Sequence, residues 1–237
     1  MPSHTQAVED YLKAVYDLAA GAPGARVAGA GPPERVTTTA LAERLGVAAA
    51  SVTGMVKKLA AAGLVEHVPY GGVVLTDAGR RIAVETIRHH RLVETYLHAA
   101  LGVPWDRVHD EAEAWEHILS EDLEARMDAA LGHPAFDPHG APIPTPDLVL
   151  PALDRPPLAR LDAGQTATVA EVSDHDAGLL RHVGAVGLYP GTRFAVDAVA
   201  PDGAIAVRLL SGERAGERVT LRPDAAAFLS VSDIASE

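Results

Sequence analysis

TTALAERLGVAAASVTGMVKKLAAAG, from Thr38 to Gly63, reads as two short helices joined at a glycine. Leu41, Leu45, Val52, Val56 and Leu59 recur at helical spacing, and Gly46 and Gly63 stand where helices stop. Two β-prone runs follow, LVEHV at Leu64–Val68 and VVLT at Val73–Thr76, with a PYGG turn between them. Helix, turn, helix and hairpin in that order make a winged helix-turn-helix. The second helix of such a unit lies in the major groove, so it needs small or short polar groups near its start and cations farther along. Ala48, Ala50, Ser51 and Thr53 meet the first need, and Lys57 and Lys58 the second. Thr38 and the wing residue Tyr70 are further candidate DNA contacts, with His67, Arg80 and Arg81 near the backbone. The helix has no Arg, Asn or Gln, the usual bidentate base readers, so part of the readout is expected from DNA shape. The bland reading of the same unit is a protein-binding module.

Outward from this unit, a first helix is expected over Gln6–Ala20, followed by a flexible Gly- and Pro-rich loop, Gly21–Arg35. On the other side come two longer helices, Asp77–Leu101 and Trp105–Leu131, separated by the GVP break at Gly102–Pro104. They exceed what a small reader needs and imply a second unit. The stretch His133–Asp162 holds eight Pro in thirty residues and reads as a linker. Beyond it, β-branched runs alternate with Gly, Pro and Asp turns, the pattern of a small β-barrel. The expected fold is therefore mainly α with β. Its parts are a DNA-binding domain over 1–76, a helical metal-binding and dimerisation domain over 77–136, a linker over 137–162 and a β-barrel domain over 163–237.

Composition narrows the function. The chain has 237 residues, 48% hydrophobic and 22% charged, which suits a folded protein with one large core or several small ones. Its apolar stretches fall short of the ~18 to 20 residues a membrane span needs, and no signal-like start is present, so a cytoplasmic location is expected. Zero cysteines exclude disulfides, thiolate metal sites and thiol catalysis, leaving His and carboxylate as metal donors. The net charge of −12 is uneven: residues 1–81 carry 8 Lys+Arg against 7 Asp+Glu, and residues 82–237 carry 12 against 25. That asymmetry permits DNA at one end and suggests cations at the other.

The acidic part holds a constellation of donors. His90 and Glu94 stand at i and i+4, and His109, Glu113, Glu116 and His117 share a narrow arc of the next helix. Glu113, Glu116 and His117 can converge on one divalent ion, which would neutralise carboxylates otherwise costly to crowd together. Scattered His on a solvated acidic helix is the alternative. A metal-dependent hydrolase is the rival from another class, but no nucleophile motif or phosphate loop accompanies the cluster. The chain is expected not to be an enzyme. Trp105 and Trp115 read as core; His4, His89, His133, His139 and His182 read as surface or linker, and His98, although it continues the His90–Glu94 stripe, is not taken as a ligand.

Taken together, VEDYLKAVYDL at Val8–Leu18, HRLVETYL at His90–Leu97, VHDEAEAWEHILSEDLEARM at Val108–Met127 and LLRHVGAVGLYPG at Leu179–Gly191 closely resemble the diphtheria-toxin-repressor family of iron- and manganese-dependent repressors. The resemblance covers nearly the whole chain and implies the three-domain form, whose C-terminal domain is SH3-like. It implies one metal site at His90, Glu94 and His109, closed by Glu171 and Asp174, with Asp176 or His175 as alternatives. It implies a second at Asp10, Glu113, Glu116 and His117, so two sites per subunit. Where iron-responsive members carry Met and Cys, this chain has Asp10 and Glu113, as manganese-responsive members do. Mn²⁺ prefers carboxylate oxygen and imidazole to sulfur, so it is the expected metal, with Fe²⁺ the alternative. Lys13 departs from the short manganese repressors, which have Glu there, and two separate sites are expected instead of a bridged pair. The resemblance further implies a homodimeric repressor on a palindromic operator in double-stranded DNA, controlling manganese uptake.

Overall fold

The computed structural model describes residues 4–20, 35–68, 71–174 and 176–236. Tyr70, His175 and most of the Gly- and Pro-rich loop lie outside them.

Helix α1, Gln6–Ala20, buries Leu12 and Val15 against the reader unit. Helix α2, Thr38–Leu45, starts where the Thr37 hydroxyl accepts from Ala40 N–H and stops at Gly46, whose φ of 64° only glycine adopts without strain. Helix α3, Ala49–Ala61, buries Val52, Val56 and Leu59 and turns Ser51, Thr53, Lys57 and Lys58 outward. Strands β1, Val65–Val68, and β2, Gly72–Leu75, pair antiparallel, with Val65 opposite Leu75. The winged helix-turn-helix is thus present, with its own core.

Helix α4, Asp77–Leu101, begins at a Thr76 cap and leaves the reader unit to carry the middle of the molecule. The single helix expected over Trp105–Leu131 is two: α5, Val108–Trp115, and α6, Glu121–Ala130. The Ser120 hydroxyl accepts from Leu123 N–H, and Glu121, Asp122 and Glu124 fill the first turn of α6, so this sequence favours a new helix start over continuation. Val93, Leu97, Val108, Ala112 and Met127 form a small core between these helices. Trp115, expected in that core, is among the exposed hydrophobics, together with Ile118 and Leu123.

The Pro-rich stretch is not loose in its first half. Residues 139–144 are buried, and α4 holds them: Arg91 donates to the Pro142 carbonyl and Arg88 to that of Pro144, each at 2.5 Å. Its end supplies Leu158 and Leu161 to the C-terminal core. That core lies under strands β3, Gln165–Val172, β4, Arg193–Val199, β5, Ile205–Leu209, β6, Arg218–Leu221, and β7, Leu229–Ser236. Helices α7, Ala177–Ala185, and α8, Pro223–Ala227, complete the unit. The strands run in the order β6-β5-β4-β3-β7, all neighbours antiparallel. The expected barrel is an open SH3-like sheet: β6 and β7 stay at its two edges, and register shifts in β3–β7 and β4–β5 curve it without closing it.

Candidate metal centre

Helix α4 is the spine of the centre. His90 and Glu94, one turn apart, face the same way, with His90 Nε2 3.0 Å from Glu94 Oε1. Helix α5 brings His109, whose Nδ1 lies 3.1 Å from His90 Nε2 and 3.3 Å from Glu94 Oε1. Asp174, just past β3, puts Oδ2 3.3 Å from the same nitrogen. One donor atom from each of His90, Glu94, His109 and Asp174 lies within 4.8 Å of the others. Glu171 is not in this group. It lines the same small cavity, of about 70 Å³, and lies 3.6 Å from Arg155.

A second group forms where α5 ends. The break after Trp115 leaves Glu116 as the helix cap and His117 in the turn, facing α1. His117 Nε2 lies 2.9 Å from Asp10 Oδ1 and 3.4 Å from Glu116 Oε1, while its Nδ1 bonds Glu9 at 2.6 Å. Glu113, expected with these residues, instead forms a group with His90 and Glu116. At the centre of that group is the Lys13 ammonium, 2.8 Å from Glu113 Oε1, 2.7 Å from Glu116 Oε2 and 3.1 Å from His90 Nδ1.

A fourth group was missed in the sequence. Glu94, Asp137 and His139 are all buried, and Glu94 Oε2 lies 3.6 Å from His139 Nδ1 with neither atom hydrogen-bonded. His139, read as a linker residue, is 1% exposed. The turn Asp137-Pro138-His139-Gly140 makes this possible. Asp137 Oδ1 accepts from the backbone N–H of His139 and Ala141, and a Cβ on Gly140, at φ +88°, would sit 2.1 Å from the Ala170 carbonyl of β3. The signal was FDPHG at Phe136–Gly140: a carboxylate and an imidazole two residues apart ahead of a glycine, hidden by the proline count. His89, read as surface, is also engaged, between the Glu116 carbonyl and Glu124.

The imidazoles share a pattern. His117 has Nδ1 on Glu9, His90 has Nδ1 on Glu116, and His139 has Nε2 on the Trp105 carbonyl at 2.7 Å. In each case the other ring nitrogen points among carboxylates. His117 Nε2, for all its nearness to Asp10, has no hydrogen bond, and His139 Nδ1 has none. In His117 and His139 a ring nitrogen held by a protein acceptor leaves its partner nitrogen free, which is how metal-ligating histidines are oriented, whereas His90 Nε2 contacts Glu94 and His109.

Electrostatics follow from the crowding. Burial disfavours the cationic form of His109, but Asp174 and Glu94 outweigh it and raise its pKa to about 10. Against the same burial, Asp10, Glu9 and Glu116 raise His117 to about 9, and Glu94, Asp137 and Asp174 raise His139 to about 9. Burial, reinforced by the Glu94 charge, pushes the Asp137 carboxyl up to about 7. Protons thus balance the acids, and a divalent cation could replace them. The donors are imidazole nitrogen and carboxylate oxygen without sulfur, a set that fits a hard or borderline divalent ion.

Comparison with known proteins identifies the family. Residues 32–73 match the iron dependent repressor N-terminal DNA binding domain, residues 76–145 the iron dependent repressor metal binding and dimerisation domain, and residues 157–233 the FeoA domain. The iron-dependent repressor IdeR of Mycobacterium tuberculosis is 31% identical over 95% of this chain and 96% of its own length. The chain belongs to the diphtheria-toxin-repressor family. Among solved structures, a manganese-dependent transcriptional repressor in complex with manganese is 40% identical, with a TM-score of 0.83 over 94% of this chain and 98% of that one. ScaR with bound Cd²⁺ is 27% identical, with a TM-score of 0.77 over 95% and 98%. As a member of this family of transcriptional repressors, the chain is a metal-dependent DNA-binding repressor whose middle domain is the metal-binding and dimerisation domain.

The reader surface is consistent with that role. Ala48, Ala50, Ser51, Thr53, Lys57 and Lys58 are exposed, and Thr38 is half-buried at the start of α2. The Thr53 hydroxyl donates to the Ala49 carbonyl at 3.0 Å, which leaves its oxygen to act as an acceptor.

Proposed function

We propose that this repressor is switched by Mn²⁺ and binds a palindromic operator as a homodimer, controlling manganese uptake. The observation that carries the reading is that Asp10, on the reader's first helix, meets Glu116 and His117, on the dimerisation unit, within one ion's reach. An ion held there by Asp10, Glu116 and His117 would supply the positive charge that these acids otherwise draw from a proton on His117. The angle between reader and dimerisation unit is then tied to metal. A dimer must set its recognition helices about one DNA turn, ~34 Å, apart, and metal favours that arrangement only by its higher affinity for it. His90, Glu94, His109 and Asp174, with Asp137 and His139 behind Glu94, would hold a second ion and join the C-terminal domain to the same spine. The units are assigned to 1–76, 77–136 and 163–237. The exposed Trp115 on α5, Ile118 in the turn after it and Leu123 on α6 are offered as the surface that meets the second copy. Among the described residues no helix is long and apolar enough to cross a membrane, and a cytoplasmic site of action is proposed.

Asp10 and the absence of sulfur donors favour manganese, whereas the identity to IdeR favours iron. Recovery of genomic fragments on the purified protein with Mn²⁺, with Fe²⁺ under anaerobic conditions and with chelator separates the two. Enrichment of a palindromic fragment by Mn²⁺ and not by chelator is expected. Recovery indifferent to metal would refute the switch, and recovery with Fe²⁺ alone would assign the switch to iron.

A further inference from the structure

Lys13 is 8% exposed and reaches the middle of the acidic cluster from α1. An ammonium has three protons, and here carboxylate oxygens accept them: Glu113 Oε1 at 2.8 Å, Glu116 Oε2 at 2.7 Å and Glu116 Oε1 at 3.0 Å, with His90 Nδ1 3.1 Å away. His90, Glu113 and Glu116 are also one of the groups whose donor atoms lie close enough together to hold a metal ion. The cationic centre of Lys13 therefore stands where an ion at that group would stand. Glu116 links it to the neighbouring group: both of its oxygens accept from Lys13, and Oε1 also lies 3.4 Å from His117 Nε2. Asp10 and Lys13, three residues apart on α1, thus approach the same carboxylate, one as an anion beside the proposed metal and the other as a cation.

We propose that Lys13 is a resident cation that fills the His90–Glu113–Glu116 position, excludes a metal ion from it and holds α1 against α4 and α5 before any metal binds. The inference rests on the reading of Asp10, Glu116 and His117 as a metal site. It adds that the chain carries one ion fewer per subunit than its donor groups allow. An ordinary buried ion pair would share the geometry but would not conceal a binding position.

The test uses the full-length dimer and two measurements. Mn²⁺ bound per subunit at saturation is measured by equilibrium dialysis with metal analysis for the wild type, Lys13→Arg, Lys13→Gln and Lys13→Glu. Thermal melting is measured in chelator for the same four. Lys13→Glu is expected to bind one more Mn²⁺ per subunit than wild type, Lys13→Gln to bind one more with lower affinity, and Lys13→Arg to match wild type. In chelator, Lys13→Gln should melt several degrees below wild type and Lys13→Arg close to it. Folded Lys13→Glu and Lys13→Gln dimers that bind no more Mn²⁺ than wild type overturn the proposal. If Lys13→Glu does not fold without metal, Lys13→Gln decides. A wild type that binds no Mn²⁺ would instead sink the metal reading itself, and the melting comparison would still report whether Lys13 serves as the clamp.

Discussion

The two faces of α4 handle charge differently. On the side toward α1, Asp10 is partly exposed, Glu113 more so, and acids find partners in Lys13 and His117. On the side toward the C-terminal sheet, Glu94 is fully buried, and one of its oxygens faces an imidazole nitrogen with no hydrogen bond between them. The first arrangement is balanced, with Lys13 and His117 neutralising acids across the reader joint, and an ion at Asp10, Glu116 and His117 would add to a contact that Lys13 already makes. The second leaves a buried acceptor that only a proton or a cation relieves. The difference teaches that one cluster can act as a conditional joint while the other is built to stay filled.

Replacing Glu94 should break that contrast most severely. Glu94→Gln removes the charge that His90, His109 and His139 all face, and those residues lose their common partner. Disrupting a buried charge cluster of this kind costs about 3–5 kcal/mol. Chemical denaturation in chelator should show a loss of that order, and a variant as stable as wild type would mean that the buried face is not charge-coupled. Asp10→Ala, by contrast, should cost less stability in chelator, because Glu9 and Glu116 still face His117, and should leave dimer mass unchanged while removing the gain in DNA affinity with Mn²⁺. That gain should lie in the ~5–150-fold range typical of coupling between sites, as read by fluorescence anisotropy on the recovered operator. A variant that keeps the gain would show that the reader joint does not depend on Asp10.

pH sharpens the same comparison with opposite signs for the two states. In the metal-free chain, His109 at about 10 and His117 and His139 at about 9 are raised above an unfolded value of about 6.5. Their stabilising contribution is complete below about pH 6.5 and is lost as pH rises through about 9 to 10. Melting temperature in chelator should fall across that window. Metal binding displaces the same protons, so Mn²⁺ affinity should rise with pH by up to about tenfold per unit for each proton released. Calorimetric titrations in buffers of different ionisation heat count those protons, and a pH-independent affinity would contradict the exchange.

Much of this was legible because it is local. Leucines and valines at helical spacing with Gly46 and Gly63 as stops define the reader, and His90 lies close to Glu94 because one helix carries both, as Glu116 does to His117 because they are adjacent where α5 ends. What depended on chain reversal was not. His139 meets Glu94 only because a turn at Pro138 and a positive-φ Gly140 fold the stretch back onto α4. Glu113 lies on α5 three residues before its cap Glu116, yet Lys13, from a helix far away in sequence, draws it to the other group. The break before α6 was written in Ser120 and its acidic successors, but the apolar periodicity running through it concealed the cap. Asp174 was placed with His109 by the resemblance, and its neighbour Glu171, equally acidic, lies beside Arg155.

The smallest expected effect tests whether the conditional joint actually delivers the reader to DNA. Lys57 and Lys58 are exposed on α3, beyond Ser51 and Thr53, where phosphate contacts would position the helix. Each phosphate neutralised adds about 0.9 to the slope of log affinity against log salt, so Lys57→Ala, which removes one contact from each of the two subunits, should lower the slope by about two if it contacts a phosphate. It should weaken operator and unrelated DNA alike, because a phosphate contact carries no sequence. The decisive comparison is between metal states. With Mn²⁺ the slope difference between wild type and Lys57→Ala should appear in full, because both recognition helices of the dimer are seated. In chelator it should shrink, because a reader held by Lys13 without an ion at Asp10, Glu116 and His117 seats only part of the time. An equal difference in both states would mean that the reader meets DNA identically with and without metal, and the ion at Asp10, Glu116 and His117 would then have to act on something other than the spacing of the two readers.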